Sequence, residues 1–237
     1  MIDRRTATPE SNMTTTKFIK EIKKNINYKI TPSSLEESKQ NITLHIIKKR
    51  SKVNKTFIKC DWNQQGTSLH TDSSNILGSS RKLEVTDNIE IPTIKSSDLW
   101  YYGVKLYNIN DIISFDEDLP LFEMEVGQNY VNEYIMKVAG GVYLEEHERP
   151  HFHMPLNSNS IGHIILGKHI ANGLHVSAFQ IPLGKALYMP NNIIHNDCFL
   201  IGKYNVIYSK TPNYKTMLLI HDNKPAKVTI NKPLDNP

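Results

Sequence analysis

Pro150-His151-Phe152-His153-Met154-Pro155 is the stretch that decides how this chain is read, and Gly184-Lys185-Ala186-Leu187-Tyr188-Met189-Pro190-Asn191-Asn192-Ile193-Ile194-His195 is its complement. Side chains alternate between the two faces of a strand, so His151 and His153, at i and i+2 of an extended segment, project from one face and can share a ligand. The second stretch reads as a short apolar strand, a Pro/Asn turn and a histidine just beyond it. His195 is thereby a candidate to join the first two imidazoles.

Around these stretches the pattern is β. From Tyr134 onward short runs rich in β-branched and aromatic residues predict strands at Ile135–Val138, Val142–Leu144, His151–Met154, Gly162–Leu166, His175–Ile181, Ala186–Met189, Asn205–Tyr208 and Met217–Ile220. Turn residues punctuate them, and Asn172-Gly173 between Ile170 and Leu174 is a tight-hairpin signal. Short strands at this rhythm predict a barrel or sandwich, whose closure removes exposed edges.

The two stretches together resemble those of the cupins, a family of small antiparallel jelly-roll barrels. His151, His153 and Gly167 match the first motif of that family, and Gly184, Pro190 and His195 match the second at its spacing, G-x5-P-x-G-x2-H-x3-N. Glu145 stands in place of the opening glycine of the first motif, Asn192 in place of the second glycine of the second, and Phe199 in place of its closing Asn. The glutamate of the first motif is missing. Ser160 occupies its place counted back from Gly167, and Asn157 or Ser158 counted forward from His153.

The resemblance covers residues 130–222 and implies a mainly β fold: an antiparallel jelly-roll barrel over residues 61–237. The preceding residues 1–60 form a basic extension with a short helix and additional strands, of which 1–16 are expected to be disordered, and Met13 is an alternative start. It further implies a divalent metal held by His151, His153 and His195, with His163 a minor candidate. Ferrous iron is favoured, and zinc, nickel or manganese are the alternatives. Arg149, Gln180 and Tyr188 are the candidates for lining a cavity that takes a small polar or anionic molecule.

Composition narrows the setting. No apolar run approaches the roughly 18 residues of a membrane span, and the first residues lack the apolar core of a signal peptide. The two cysteines, Cys60 and Cys198, form no C-x-x-C pair, so neither a disulfide framework nor a zinc-thiolate site is indicated and a cytoplasmic setting is expected. Residues 1–60 carry 14 Lys/Arg against 5 Asp/Glu, whereas residues 61–150 carry 6 against 16. The basic head shows no nucleic-acid motif and no aromatic interleaving, so a solvated segment is the simpler reading and nucleic acid is not an expected partner.

Within that head, Phe18, Ile19, Ile22 and Ile26 fall at helical spacing opposite Lys17, Lys20, Lys23 and Lys24, predicting a short amphipathic helix behind Thr16. Ile42–Ile46, Thr56–Trp62 and Lys82–Ile91 predict strands that extend the sheet or form a homodimer contact. Glu145, Glu146, His147 and Glu148 read as a solvated loop before the motif.

For function, a three-histidine centre without carboxylate is similar to that of the thiol dioxygenases among the cupins. Two rivals stand beside a metal-dependent enzyme: a non-enzymatic small-ligand sensor, and a metal-free sugar epimerase or isomerase in which a histidine is the base. The chain has no Ser/His/Asp arrangement, phosphate-cradling loop or dinucleotide fingerprint.

Overall fold

A computed structural model describes residues 17–26, 52–62, 81–109, 119–207 and 214–231. Residues 1–16 and the strand expected at Ile42–Ile46 lie outside them. In chain order the strands are β1 (Lys17–Ile26), β2 (Thr56–Lys59), β3 (Arg81–Glu84), β4 (Asn88–Pro92), β5 (Lys105–Asn108) and β6 (Leu119–Val126). They continue as β7 (Tyr143–His147), β8 (His151–Pro155), β9 (Ile161–Gly162), β10 (Ile164–Ile170), β11 (Gly173–Phe179) and β12 (Lys185–Met189). The last are β13 (Ile194–Asn196), β14 (Leu200–Ile207), β15 (Tyr214–His221), β16 (Lys224–Pro225) and β17 (Lys227–Asn231). Helical structure among the described residues is confined to a 3-10 segment at Ser96–Tyr102 and a π-helical turn at Tyr130–Ile135. The protein is therefore mainly β.

The strands form two curled sheets. One runs β1-β6-β14-β8-β12-β5, with β9 also on β14; the other runs β16-β15-β7-β13-β10-β11-β2, with β3 also on β15. Pairing within them is antiparallel except for β3 on β15, and β4 and β17 form a separate parallel pair. From β12 to β15 each successive strand changes sheet, and so does the step from β7 to β8. This alternation places residues that are near in sequence on facing walls.

The apolar runs explain which strands are central. Ile164, Ile165 and Leu166 are all fully buried, as expected where a sheet is covered on both faces and hydrophobic residues replace simple alternation. On β11, Leu174, Val176 and Ala178 are buried to the same degree, and the backbone N–H of Ile94 donates to the Ala178 carbonyl at 2.9 Å, bringing the segment after β4 over that strand. A fully buried aliphatic side chain contributes about 1.5–3 kcal/mol, so this strand pair anchors the core. The expected hairpin is formed: Ile170 pairs with Gly173 across Ala171-Asn172, and Asn172 takes the left-handed conformation with φ 62°.

Two expectations are corrected. Lys17–Ile26 is a strand paired antiparallel with β6, with register shifts after Glu21 and Lys23, and is not a helix. A helix of ten residues is marginal on its own; pairing satisfies the backbone of the segment along a sheet edge instead, and lysine-rich sequences are common on such edges. Ile135–Val138 is likewise not a strand: it begins with the last residue of the π-helical turn and continues past it, with the Val138 N–H donating to the Tyr134 carbonyl at 2.8 Å.

Gly162, where β9 meets β14, has φ +91°, and a Cβ there would lie 2.2 Å from the Phe199 carbonyl oxygen. Both the left-handed backbone and the close approach exclude a side chain. Gly162→Ala is expected to cost about 2–4 kcal/mol of stability, read as a lower urea midpoint. An unchanged midpoint would contradict the tight approach of these two strands.

Candidate metal centre

Facing walls bring the imidazoles together. On β7, Glu145 and His147 share a face by alternation, and Glu145 is directly opposite His195 on β13. On β8, His151 pairs with Met189 and His153 with Leu187, so these four share one face of the other sheet. The corner Glu148-Arg149-Pro150 joins β7 to β8 and folds one wall onto the other.

The result is a buried group of three imidazoles, His147, His151 and His195, each offering a nitrogen within 4.8 Å of the others. Ring centroids lie 4.2 Å apart for His147 and His151, 4.6 Å for His151 and His195, and 5.0 Å for His147 and His195. Burial first, and then the field of His195, pushes the pKa of His147 down to about 3, opposed in part by the Arg149 backbone. His151 is held well below its ordinary value by burial and then by His147, His195 and His153, with Asp197 acting in the opposite sense. Both rings are therefore neutral near pH 7, the state in which an imidazole ligates a metal.

His195 shows how the group fits an ion. Its Nδ1 lies 2.8 Å from the Ile193 carbonyl oxygen; a carbonyl only accepts, so Nδ1 carries the hydrogen and donates it. In the neutral ring Nε2 then holds the lone pair, and among the described residues it has no hydrogen-bond partner. A backbone carbonyl fixing the tautomer of a ligating histidine is a common outer-shell arrangement at metal sites. Imidazole ligands suit Zn, Fe, Ni or Cu.

The sequence brought out two members of this group. Of the expected ligands, His151 and His195 come together. His153 is fully buried beside them, its ring centroid 5.7 Å from that of His151, and its Nε2 is 3.7 Å from Asp197 Oδ2. Asp197 in turn accepts a 3.5 Å hydrogen bond from the Tyr143 hydroxyl. His163 is half-buried, its backbone N–H donating to the Phe199 carbonyl at 3.0 Å. Arg149 is half-buried in the β7–β8 corner, and Gln180 is exposed just past β11. Tyr188 pairs with Phe152 and packs against the Leu121, Phe152, Ala186 and Ile207 cluster, on the face of its sheet opposite His151 and His153. Ser160, at the place of the missing glutamate, donates its hydroxyl to the Lys203 carbonyl.

Glu145 and His147 are corrections. The sequence pattern predicts a solvated loop for both, and both are buried within a strand. The signal was present in Tyr143, Glu145 and His147, which alternate with Leu144 and Glu146, but strands are depleted in glutamate and a run of charge ordinarily marks a solvated face.

Two other places gather polar groups. A surface cleft of about 600 Å³, lined among others by Cys60, Trp62 and His169, includes none of the three imidazoles; burial and then Asp61 push the Cys60 thiol up to about 11, which makes it a poor nucleophile. Glu84, His221 and Asp222 form a group at the surface, where a hydrogen bond to the Val85 carbonyl and then the neighbouring acidic groups hold His221 above its ordinary pKa. No helix among the described residues is long and apolar enough to cross a membrane. The chain matches no protein-family model and no curated protein.

Proposed function

We propose that the protein is a cupin-like metal protein whose ion is held by His147, His151 and His195 and which acts on a small anionic molecule as an enzyme. The observation that carries this reading is the convergence of three buried imidazoles from both sheets. The nitrogens of His147 and the Nε2 of His195 have no hydrogen-bond partner among the described residues, and buried polar atoms cost free energy unless something satisfies them. The alternation of strands between two curled sheets supports a jelly-roll topology, the fold that the H-x-H and second-motif spacings imply.

Arg149 is the substrate-binding residue in this reading, because it sits in the corner that joins the two histidine-bearing strands β7 and β8 and its guanidinium suits a carboxylate or phosphate. Gln180 and Tyr188 have no comparable position. When bound, a divalent ion supplies Lewis-acid or oxygen-binding chemistry, and the resemblance to the thiol dioxygenases implies ferrous iron and a dioxygenase-type reaction. The protein contributes the rest: the Ile193 carbonyl orients His195, the two sheets exclude water, and Arg149 fixes the substrate charge.

Elemental analysis of purified protein tests the reading first, with one transition-metal ion per chain expected. Oxygen uptake by the iron-loaded protein with small thiols and carboxylates then separates an oxygenase from a ligand sensor. Protein that neither carries nor takes up a transition metal would overturn the proposal and leave a metal-free use of the histidines, such as an epimerase base.

A further inference from the structure

Lys168 on β10 pairs with His175 on β11, and His175 with Phe57 on β2, so the three side chains share one face of the sheet. Lys59, two residues after Phe57, joins them by alternation. The 3-10 segment Ser96–Tyr102 lies against this row: the buried Tyr102 hydroxyl bonds with Ser177 Oγ of β11, and the Tyr101 hydroxyl lies 2.6 Å from His175 Nδ1. Four rings consequently follow one another, Phe57 to His175 at 6.2 Å between centroids, His175 to Tyr101 at 6.0 Å and Tyr101 to Trp100 at 5.9 Å. The ends of the run, Phe57 and Trp100, are 50% and 53% exposed. Single exposed aromatics are ordinary, whereas a contiguous exposed patch marks an interaction site.

Cations flank the rings. Lys168 Nζ lies 4.3 Å from the Tyr101 ring centroid and donates to the Tyr101 carbonyl at 2.9 Å. Lys55 Nζ lies 5.2 Å from the same centroid and donates to the Val53 carbonyl at 3.2 Å. Backbone carbonyls and an aromatic face hold both ammonium groups in place, and among the described residues neither is paired with a carboxylate. An ammonium has three donors, so each keeps N–H groups for an outside acceptor. Partial burial, then Lys55 and then Lys168 lower the pKa of His175, a sign of the same positive field.

Fixed cations beside stackable rings select the partner. A polyanion without bases would use the lysines alone, and an apolar partner the rings alone. A single nucleic-acid strand uses both, with phosphates on the ammonium groups and unpaired bases stacked on the aromatic faces. We infer that the surface formed by Lys55, Phe57, Trp100, Tyr101 and Lys168 binds single-stranded nucleic acid with little sequence preference. The linear sequence shows no such interleaving because these groups come from separate segments that sheet pairing and the 3-10 segment bring together. None of them belongs to the metal centre, so failure of the metal assays leaves the surface standing.

The test uses the full-length chain and a fluorescein-labelled oligothymidylate of about 12 nucleotides, with anisotropy as the readout. Binding is expected to weaken as salt rises. Trp100→Ala and Phe57→Ala should each weaken it at least fivefold. The double variant Lys55→Ala/Lys168→Ala should weaken it at least tenfold, with a log-log salt slope smaller by about 1.4. No binding at about 50 mM salt would overturn the inference, and so would binding that these substitutions leave unchanged, which would place the strand on basic residues elsewhere. An acidic peptide that displaces the oligonucleotide at equal charge would also overturn it, because the rings would then contribute nothing. Should a variant fail to fold, photo-cross-linking of the oligothymidylate to wild-type protein decides: adducts at Phe57, Trp100 or Tyr101 are expected, and adducts confined to other residues overturn the assignment.

Discussion

His151→Ala is expected to reduce affinity for zinc or ferrous iron at least 100-fold and to abolish the stabilisation that the ion gives the wild-type protein. His151 is the central ring of the group, 4.2 Å from His147 and 4.6 Å from His195 between centroids, and the only one of the three carried by the sheet of β8. Removing it leaves ligands on one wall alone. An ion that binds only the folded chain stabilises it by about 2.7 kcal/mol when present at 100 times its dissociation constant, so adding a chelator should lower the wild-type melting temperature and leave that of His151→Ala unmoved. His147→Ala should behave in the same way, and His153→Ala should keep the difference. Calorimetry with and without the ion checks all three, and a metal-dependent shift retained by His151→Ala would show that the ion sits elsewhere.

The contrast between His147 and His153 also shows what the sequence could reveal. The H-x-H spacing places two rings on one face because strand periodicity is local, and the spacing from Gly184 to His195 follows a turn whose chemistry is equally local. The relation of β7 to β8 is different: the rings meet because a corner of three residues, Glu148-Arg149-Pro150, sends the chain from one sheet into the other. Nothing in its composition states which wall His147 faces. Likewise Asp197 follows β13 and reaches His153, a contact set by the packing of two sheets. The strand at Lys17–Ile26 pairs with residues about a hundred positions away, and its mixture of isoleucine and lysine fits a helical face as well as an edge strand; non-local hydrogen bonding decides between them. The mainly β class was legible because turns and alternation repeat along the whole second half of the chain.

Metal-free protein is expected to lose stability steeply as the pH falls from 7 to 5, and the direction follows from the neutral histidines. His147 titrates at about 3 in the folded chain and at about 6.5 when unfolded; His151 is also depressed. Between those values the unfolded chain binds more protons than the folded one, so stability rises with pH across this window and is progressively lost on acidification. His147 costs up to ~1.4 kcal/mol for every pH unit below about 6.5, about 2 kcal/mol by pH 5, and His151 adds to the loss in the same direction. The loss is drawn from the 5–15 kcal/mol that holds a typical domain folded. Glu145 and Asp197 face the same cluster, and Asp197 opposes the depression of His151, so the loss should be somewhat smaller than the sum. The bound ion competes with protons for the same nitrogens, and metal-loaded protein should therefore keep its stability to lower pH than metal-free protein. Urea midpoints at pH 7 and 5, with chelator or with zinc, measure both effects. His147→Leu isolates the cause: it fills the place of the ring with an apolar side chain, and its metal-free midpoint should fall less between pH 7 and 5. A wild-type midpoint that does not change over that range would mean that these rings are hydrated and exchange protons freely, contrary to their burial between the two sheets.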